Sequence, residues 1–243
     1  LAERMFGLRY ERVPAALWHP EAQAFAVFDR ATERPLATLY LDLYPRDGKY
    51  NHAAVWPIRS AAFGPAGHRT AQSALVVNLD RTGLSLDEME TLLHEFGHAV
   101  HNNVSRTRWI GTSSNAMQLD FIEAPSQMPE SFVYDRRVLS LFAEVCPACK
   151  PIPPELVEKA DRARHFAKGL RIARQQLYAS YDLALNGRAR AEPLALWAAM
   201  EGETPLGHTS GTILPAGFGH LASHYGAGYY SYPRLATTGT LEI

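Results

Sequence analysis

The chain has 243 residues, of which 47% are hydrophobic and 20% are charged, and its formal net charge at pH 7 is -1. These values are typical of a globular protein with a sizeable core. The near-neutral charge gives no electrostatic reason to expect nucleic acid or an acidic membrane as partner, and no apolar run approaches the about 18 residues of a transmembrane helix.

The first third of the chain is predicted to form a small, largely antiparallel sheet. Apolar or alternating segments rich in strand formers are separated by turn signals, of which residues 45–48 are the clearest. The predicted strands are residues 24–28, 36–44, 52–58 and 74–79. The strand at 36–44 is compatible with an interior position or with a sheet edge at which an extended peptide would pair.

From Ser85 onwards the periodicity of the apolar residues becomes helical. Ser85 and Glu88 have the spacing of a capping box, and the apolar residues from Leu86 to Val100 predict a helix of about five turns. A second helical stretch starts near Asp120 and is bent by two prolines. Further helices are predicted at residues 131–144, 155–186 and 193–201, followed by a long loop at 202–219.

The first predicted helix contains an H-E-x-x-H pattern that begins at His94 and ends at His98. Residues four apart lie on one face of a helix, so both imidazoles can reach one metal ion. Glu95 points about 100° round the helix axis, close enough to act on a metal-bound water without being a ligand. This arrangement is typical of zinc hydrolases.

Glu123 is predicted as the third metal ligand. The pattern that would place a third histidine shortly after the first two requires a glycine three residues past His98, and His101 stands at that position instead. Glu123 follows His98 at a distance that lets the first helix end and a second one pack beside it. A carboxylate would leave zinc enough positive charge to acidify water.

Three neighbours of these ligands have two interpretations each. Glu90, one helical turn before His94, would accept a hydrogen bond from the distal ring nitrogen of that histidine, or would only interact with the helix dipole. Asp120 would act similarly on His98, or cap the second helix. His101 is interpreted as a structural histidine rather than a ligand.

Four segments, in this order, resemble the thimet oligopeptidase family of zinc metallopeptidases, which includes oligopeptidase A, the peptidyl-dipeptidases and mitochondrial intermediate peptidase. The matching segments are residues 40–46 with 48–50, 94–98, 120–128 and 225–232. The resemblance implies a mostly helical α+β catalytic domain of the gluzincin type over residues 1–243. Its predicted regions are a sheet at 1–84, the helices of the zinc site at 85–145, and a helical part with a Tyr/Gly loop at 146–243.

The resemblance also implies a zinc-dependent endopeptidase that hydrolyses short oligopeptides. One Zn²⁺ would be held by His94, His98 and Glu123, and Glu95 would activate the zinc-bound water.

The segment from residue 218 to residue 232 is dense in tyrosines and contains one further histidine. A Tyr O–H or a His N–H can stabilise the oxyanion that forms during peptide hydrolysis, although such a segment alone would more often serve packing. The resemblance implies that His220 and Tyr232 act at the transition state. It implies that Tyr225 and Tyr229 contact substrate in a loop that closes over it, and it leaves Tyr230 without a role.

Two departures from the family lead to alternative functions. The sequence differs from the family after Tyr232, and the large N-terminal helical part that forms the opposite wall of the cleft is missing. We therefore expect a fragment whose cleft is completed by the missing N-terminal part of the parent chain. The alternatives are a non-catalytic zinc-binding fragment without a complete cleft, and a processing enzyme similar to mitochondrial intermediate peptidase, which residues 105–109 and 225–232 resemble. The cytoplasm is the expected compartment and the mitochondrial matrix the alternative.

Cys146 and Cys149 are the only cysteines and form a C-x-x-C pattern. Half of a zinc site and a redox dithiol are both conceivable, but no second pair of cysteines and no βαβ context accompany them. We therefore interpret them as two free thiols in a proline-rich turn.

Overall fold

The computed structural model describes residues 1–146, 148, 150–223 and 225–233, without the side chain of residue 115. Helices and strands both occur in this part of the chain, which confirms the α+β class. Within the same residues no helix is long and apolar enough to cross a membrane.

The chain divides into two compact units. The first unit comprises residues 1–117 and 124–161, and the second comprises residues 118–123 together with the described residues from 162 on. The single catalytic domain predicted over residues 1–243 remains a prediction.

A five-stranded sheet forms the centre of the first unit. The described part of this unit contains the strands β1 Leu8–Val13, β2 Gln23–Asp29, β3 Pro35–Asp42, β4 Ala54–Arg59, β5 Ala62–Gly64, β6 Gly67–Arg69 and β7 Ala71–Val76. The sheet has the order β1-β2-β3-β7-β4, and β5 and β6 form a separate hairpin. Strands β3 and β7 pair in parallel while the other pairings are antiparallel, so the sheet is mixed and not purely antiparallel as the strand pattern alone suggested.

Strand β3 lies in the interior of the sheet, because it pairs with β2 on one side and β7 on the other. The edge position considered for residues 36–44 is therefore wrong, and the edges are β1 and β4. Leu36, Ala37 and Leu39 of β3 are buried in the core. Strand β1 was not predicted, because the charged residues in its middle interrupt the apolar pattern.

Helix α2, Leu86–Asn103, packs on this sheet and carries the H-E-x-x-H pattern. The predicted capping box is present: the Ser85 hydroxyl accepts a hydrogen bond from the Glu88 N–H at 3.1 Å, and the Glu88 carboxylate accepts one from the Ser85 N–H at 2.9 Å. Ala99 and Val100 of the helix join the same hydrophobic core as the buried strand residues. The apolar face of α2 thus fixes its rotation on the sheet.

The helix predicted at 193–201 is confirmed as α8 (Pro193–Gly202), whereas those predicted at 131–144 and 155–186 are shortened or divided. The remaining α-helices are α1 Ala2–Phe6, α3 Leu119–Ile122, α4 Ala124–Gln127, α5 Arg136–Val145, α6 Pro154–His165, α7 Lys168–Leu185, α8 Pro193–Gly202 and α9 Leu214–Gly217. The 3-10 helices are Ile110–Thr112, Ser114–Ala116, Met128–Tyr134 and Gly219–Ala222. The predicted helix at 155–186 is broken at Ala167, whose φ of 54° is left-handed and cannot continue an α-helix.

The Pro-rich break after α5 contains the two cysteines. Cys146 is disulfide-bonded, so the expectation of a free thiol is wrong at this position. Cys149 lies outside the described residues.

Candidate metal centre

Helix α2 holds the two histidines of the H-E-x-x-H pattern side by side. The ring centroids of His94 and His98 are 5.1 Å apart and their planes are nearly perpendicular. Both rings are half-buried, and Glu95 between them is only 7% exposed. The spacing of four residues therefore places two nitrogen donors and one carboxylate on neighbouring positions of a rigid helix.

Gly97 allows the chain to approach α2 closely at this point. A Cβ atom at Gly97 would lie 2.2 Å from the carbonyl oxygen of Pro125 and 2.7 Å from Cα of Ser126, distances that no side chain could occupy. Helix α4 thus contacts the backbone of α2 directly, within one turn of both histidines. The glycine inside the H-E-x-x-H pattern is required by packing.

Glu123 ends helix α3 and is 1% exposed. Its Oε1 accepts a hydrogen bond from the Tyr225 hydroxyl at 2.6 Å. A carboxylate that is removed from water to this degree requires compensation from hydrogen bonds or a cation. Glu123 is therefore not a surface acid, and its role as a metal ligand remains a prediction.

His94, His98 and Glu123 each offer one ligand atom, and these atoms lie within 4.8 Å of one another. Two imidazole nitrogens and one carboxylate oxygen are a donor set that occurs in catalytic zinc sites. The burial of Glu123 agrees with this use, because a bound cation would compensate its charge. The residues present thus fit a divalent metal ion.

The distal nitrogen of His94 has a carboxylate partner that the sequence did not reveal. Nδ1 of His94 lies 2.7 Å from Oε1 of Glu130, which is part of the 3-10 helix Met128–Tyr134. Helix spacing favoured Glu90 for this position. A contact between two separate elements leaves no periodicity in the sequence, so helix spacing could not point to Glu130. Its place just after the segment that contains Glu123 was the only signal in the sequence.

Two of the residues with alternative interpretations can be placed. Asp120 lies in the first turn of α3, but the N-cap is Gln118, so the capping alternative for Asp120 is wrong and its pairing with His98 remains a prediction. His101 lines an apolar cavity beside Leu93 and Phe96. Burial, and then the neighbouring His98, lower the pKa of His101, which agrees with a structural role.

In the second unit, the predicted transition-state residues lie together. The hydroxyl oxygen of Tyr232 is 3.5 Å from Nε2 of His220, and the two ring centroids are 5.7 Å apart. The ring of Tyr225 stacks on that of Tyr232 at 5.6 Å, and its hydroxyl reaches Glu123. His220 and Tyr232 are thus connected through Tyr225 to one of the three candidate ligands.

The tyrosines of this segment differ in their surroundings. Burial, followed by the charge of Glu123, raises the pKa of Tyr232, so its hydroxyl stays protonated and can donate. Burial also raises the pKa of Tyr229 to about 12, and the hydroxyl of Tyr229 donates to Gln175 at 2.9 Å. Tyr229 therefore contributes to packing, and its contact with substrate remains a prediction. Tyr230 is 37% exposed.

Comparison with known proteins connects this site to a family. Residues 1–234 match Peptidase family M3. Mitochondrial intermediate peptidase of Arabidopsis thaliana is 35% identical over 96% of this chain and 35% of its own length. Thimet-like oligopeptidase of Dictyostelium discoideum is 30% identical over 95% of this chain and 36% of its own length. Oligopeptidase A of Escherichia coli is 30% identical over 96% of this chain and 36% of its own length.

The chain thus spans about a third of the length of these curated relatives.

Proposed function

The chain belongs to Peptidase family M3, and on this basis we propose that it is the catalytic part of a zinc-dependent metalloendopeptidase that hydrolyses short oligopeptides. The convergence of His94, His98 and Glu123 is the observation that carries the proposal. The names of two relatives, a thimet-like oligopeptidase and an oligopeptidase A, support oligopeptides as the substrate class.

The three ligands would hold one Zn²⁺. When bound, zinc would supply Lewis acidity, which acidifies water and polarises a peptide carbonyl. Because Nδ1 of His94 faces Glu130, the Nε2 atom of this histidine is the nitrogen left for the metal. The Tyr225 hydroxyl engages Oε1 of Glu123, which restricts the orientation of that carboxylate.

Glu95 is the proposed general base. It follows ligand His94 directly in α2 and is 7% exposed, so it acts in surroundings from which most water is removed. Its carboxylate would take a proton from the attacking water and return it to the amine of the departing peptide. General acid–base catalysis of this kind contributes about 10²–10⁴-fold to a rate.

His220 and Tyr232 are the proposed donors to the oxyanion that develops on the substrate carbonyl. The proximity of the Tyr232 hydroxyl to His220, and the raised pKa that keeps this hydroxyl protonated, support the role. Contact of Tyr225 and Tyr229 with substrate is proposed from the family alone, because their hydroxyls donate to Glu123 and Gln175 in the structure.

The non-catalytic alternative has one specific observation in its favour, namely that the chain spans only about a third of its relatives. In that case the chain would bind zinc through the same ligands, and the walls of the substrate cleft would be supplied by other parts of a longer protein. The compartment is proposed to be the cytoplasm or, by analogy with the mitochondrial relatives, the mitochondrial matrix.

A comparison of Glu95→Gln with wild type separates these functions. We expect both proteins to contain one equivalent of zinc, and cleavage of a short quenched fluorescent peptide to fall by about 10²–10⁴-fold in the variant. Glu155→Gln, which changes an exposed carboxylate on α6, is the matched control and should cleave like wild type.

Zinc binding without any cleavage that depends on Glu95 would support the non-catalytic alternative. A wild-type protein that binds no zinc would refute both functions.

A further inference from the structure

Asp182 of α7 is fully buried, although it carries a carboxylate. Its Oδ1 accepts a hydrogen bond from the backbone N–H of Ala227 and its Oδ2 accepts one from the N–H of Tyr229, both at 3.0 Å. The side-chain amide of Asn186 donates a further hydrogen bond to Oδ1 at 3.0 Å. Both oxygens of Asp182 thus hold the turn that contains the tyrosines.

The backbone of this turn is closely packed. The N–H of Gly228 donates to the carbonyl of Tyr225 at 2.7 Å, and Ala227 has a left-handed φ of 59°. A Cβ atom at Gly228 would lie 2.6 Å from Cδ1 of Leu119, which belongs to helix α3. The turn therefore lies against the Leu119 side chain of α3, the helix that ends at Glu123.

The turn brings the Tyr225 hydroxyl to Glu123. The O–H···O distance of 2.6 Å lies in the range of a charge-assisted hydrogen bond to a carboxylate. Such bonds to a ligating carboxylate fix its orientation, and their loss typically lowers metal affinity by about 10–100-fold. Tyr225 was predicted to contact substrate, but in the structure its hydroxyl is directed at a candidate ligand.

We propose that Asp182 is a positioning residue for the metal centre: it holds the turn at 225–229 so that the Tyr225 hydroxyl orients the Glu123 carboxylate. This inference rests on the metal site of the proposed function, but not on peptidase activity. It assigns the Tyr225 hydroxyl to the metal ligand Glu123, and the Asp182 carboxylate to the backbone N–H groups of Ala227 and Tyr229. All these hydrogen bonds lie within the second unit.

The test measures zinc affinity by competition with a chelator, at a temperature where circular dichroism shows every variant to be folded. We expect Tyr225→Phe and Asp182→Asn each to weaken zinc binding by about tenfold or more. The zinc affinity of the double variant should equal that of the single variant with the lower affinity, because Asp182 acts through Tyr225. Tyr230→Phe, which removes a hydroxyl from the same segment, is the matched control and should bind zinc like wild type.

Gly228→Ala provides a second way to displace the turn should Asp182→Asn fail to fold. Its added Cβ atom would lie 2.6 Å from Cδ1 of Leu119 and 3.1 Å from the carbonyl oxygen of Tyr225, so it would press on the backbone of the turn itself. It should therefore weaken zinc binding in wild type but add little to Tyr225→Phe.

Zinc affinity that is unchanged in Tyr225→Phe would overturn the inference and leave the proposed function standing. So would an effect of Asp182→Asn or Gly228→Ala that simply adds to that of Tyr225→Phe. A wild-type chain without zinc would overturn the proposed function and this inference together.

Discussion

Nδ1 of His94 lies 2.7 Å from Oε1 of Glu130, a residue 36 positions further along the chain. A carboxylate at this nitrogen holds the imidazole in the tautomer that carries the proton on Nδ1 and raises the basicity of Nε2. The orientation of the His94 imidazole is thereby fixed by a residue outside α2.

Glu130→Gln should weaken zinc binding by about 10–100-fold, because a neutral amide replaces the charged partner of His94. The measurement is a chelator competition with circular dichroism to verify the fold. Glu90→Gln is the control, since it changes the carboxylate that helix spacing favoured and should bind zinc like wild type. The opposite result, with Glu90→Gln the weaker binder, would refute the role given to Glu130.

Gly97→Ala should destabilise the fold by about 2 kcal/mol or more, because the added methyl group would overlap backbone atoms of Pro125 and Ser126 that belong to a packed helix. Urea unfolding followed by circular dichroism measures the change. Gly169→Ala in α7 is the matched control, as no atom lies within 4 Å of its added Cβ. Removing a helical glycine there should stabilise by about 0.5–1 kcal/mol. Equal stability of wild type and Gly97→Ala would show that α4 can retreat from α2.

Asp42→Asn should destabilise the first unit by about 3 kcal/mol, because it breaks a buried network of charges. Asp42 is 3% exposed and accepts hydrogen bonds from Trp18 at 2.8 Å and from Arg46 at 2.7 and 2.8 Å. The ammonium of Lys49, itself almost fully buried, lies 3.0 Å from Oδ1. The free energy of unfolding, measured with urea near neutral pH, tests this prediction, and Asp47→Asn on the exposed turn is the control.

The pH dependence of this effect has a definite sign. Burial alone would raise the pKa of Asp42, but the hydrogen bonds from Arg46, Trp18 and Lys49 outweigh it and hold the pKa below its ordinary value. The stabilisation is therefore fully present above the unfolded pKa of about 3.9 and is lost as the pH falls below it. The difference between wild type and Asp42→Asn should shrink in that range. A constant difference would contradict the charged network.

Tyr232→Phe should lower kcat by about 10²–10³-fold at saturating zinc, because a hydrogen-bond donor to the oxyanion is removed while the ring remains. KM for a short quenched fluorescent peptide should change little, since the hydroxyl acts on the transition state. Tyr230→Phe is the control and should retain kcat. A variant with unchanged kcat would assign the hydroxyl of Tyr232 to packing alone.

Several features could be predicted from local sequence. The capping box at Ser85 and the helical periodicity after it place His94, Glu95 and His98 on one stretch of α2, because positions along a helix are set by its own geometry. Glu123 could be predicted because the spacing allowed a second element, and the segment around it resembled a family. The segments that became β2, β3, β4 and β7 were visible for the same local reason.

The partners of those residues depended on the tertiary structure. Glu130 reaches His94 across 36 residues, and Tyr225 reaches Glu123 across 102. Contacts between separate elements leave no period in the sequence, so helix spacing favours Glu90 and gives no signal for the hydrogen bonds from Ala227 and Tyr229 to Asp182. The chain order of the strands likewise did not show that β3 is interior, because β7 returns to pair with it after three intervening strands. The sequence by itself thus determined which residues can hold a metal ion, whereas the packing of distant segments decided which carboxylates and hydroxyls orient them.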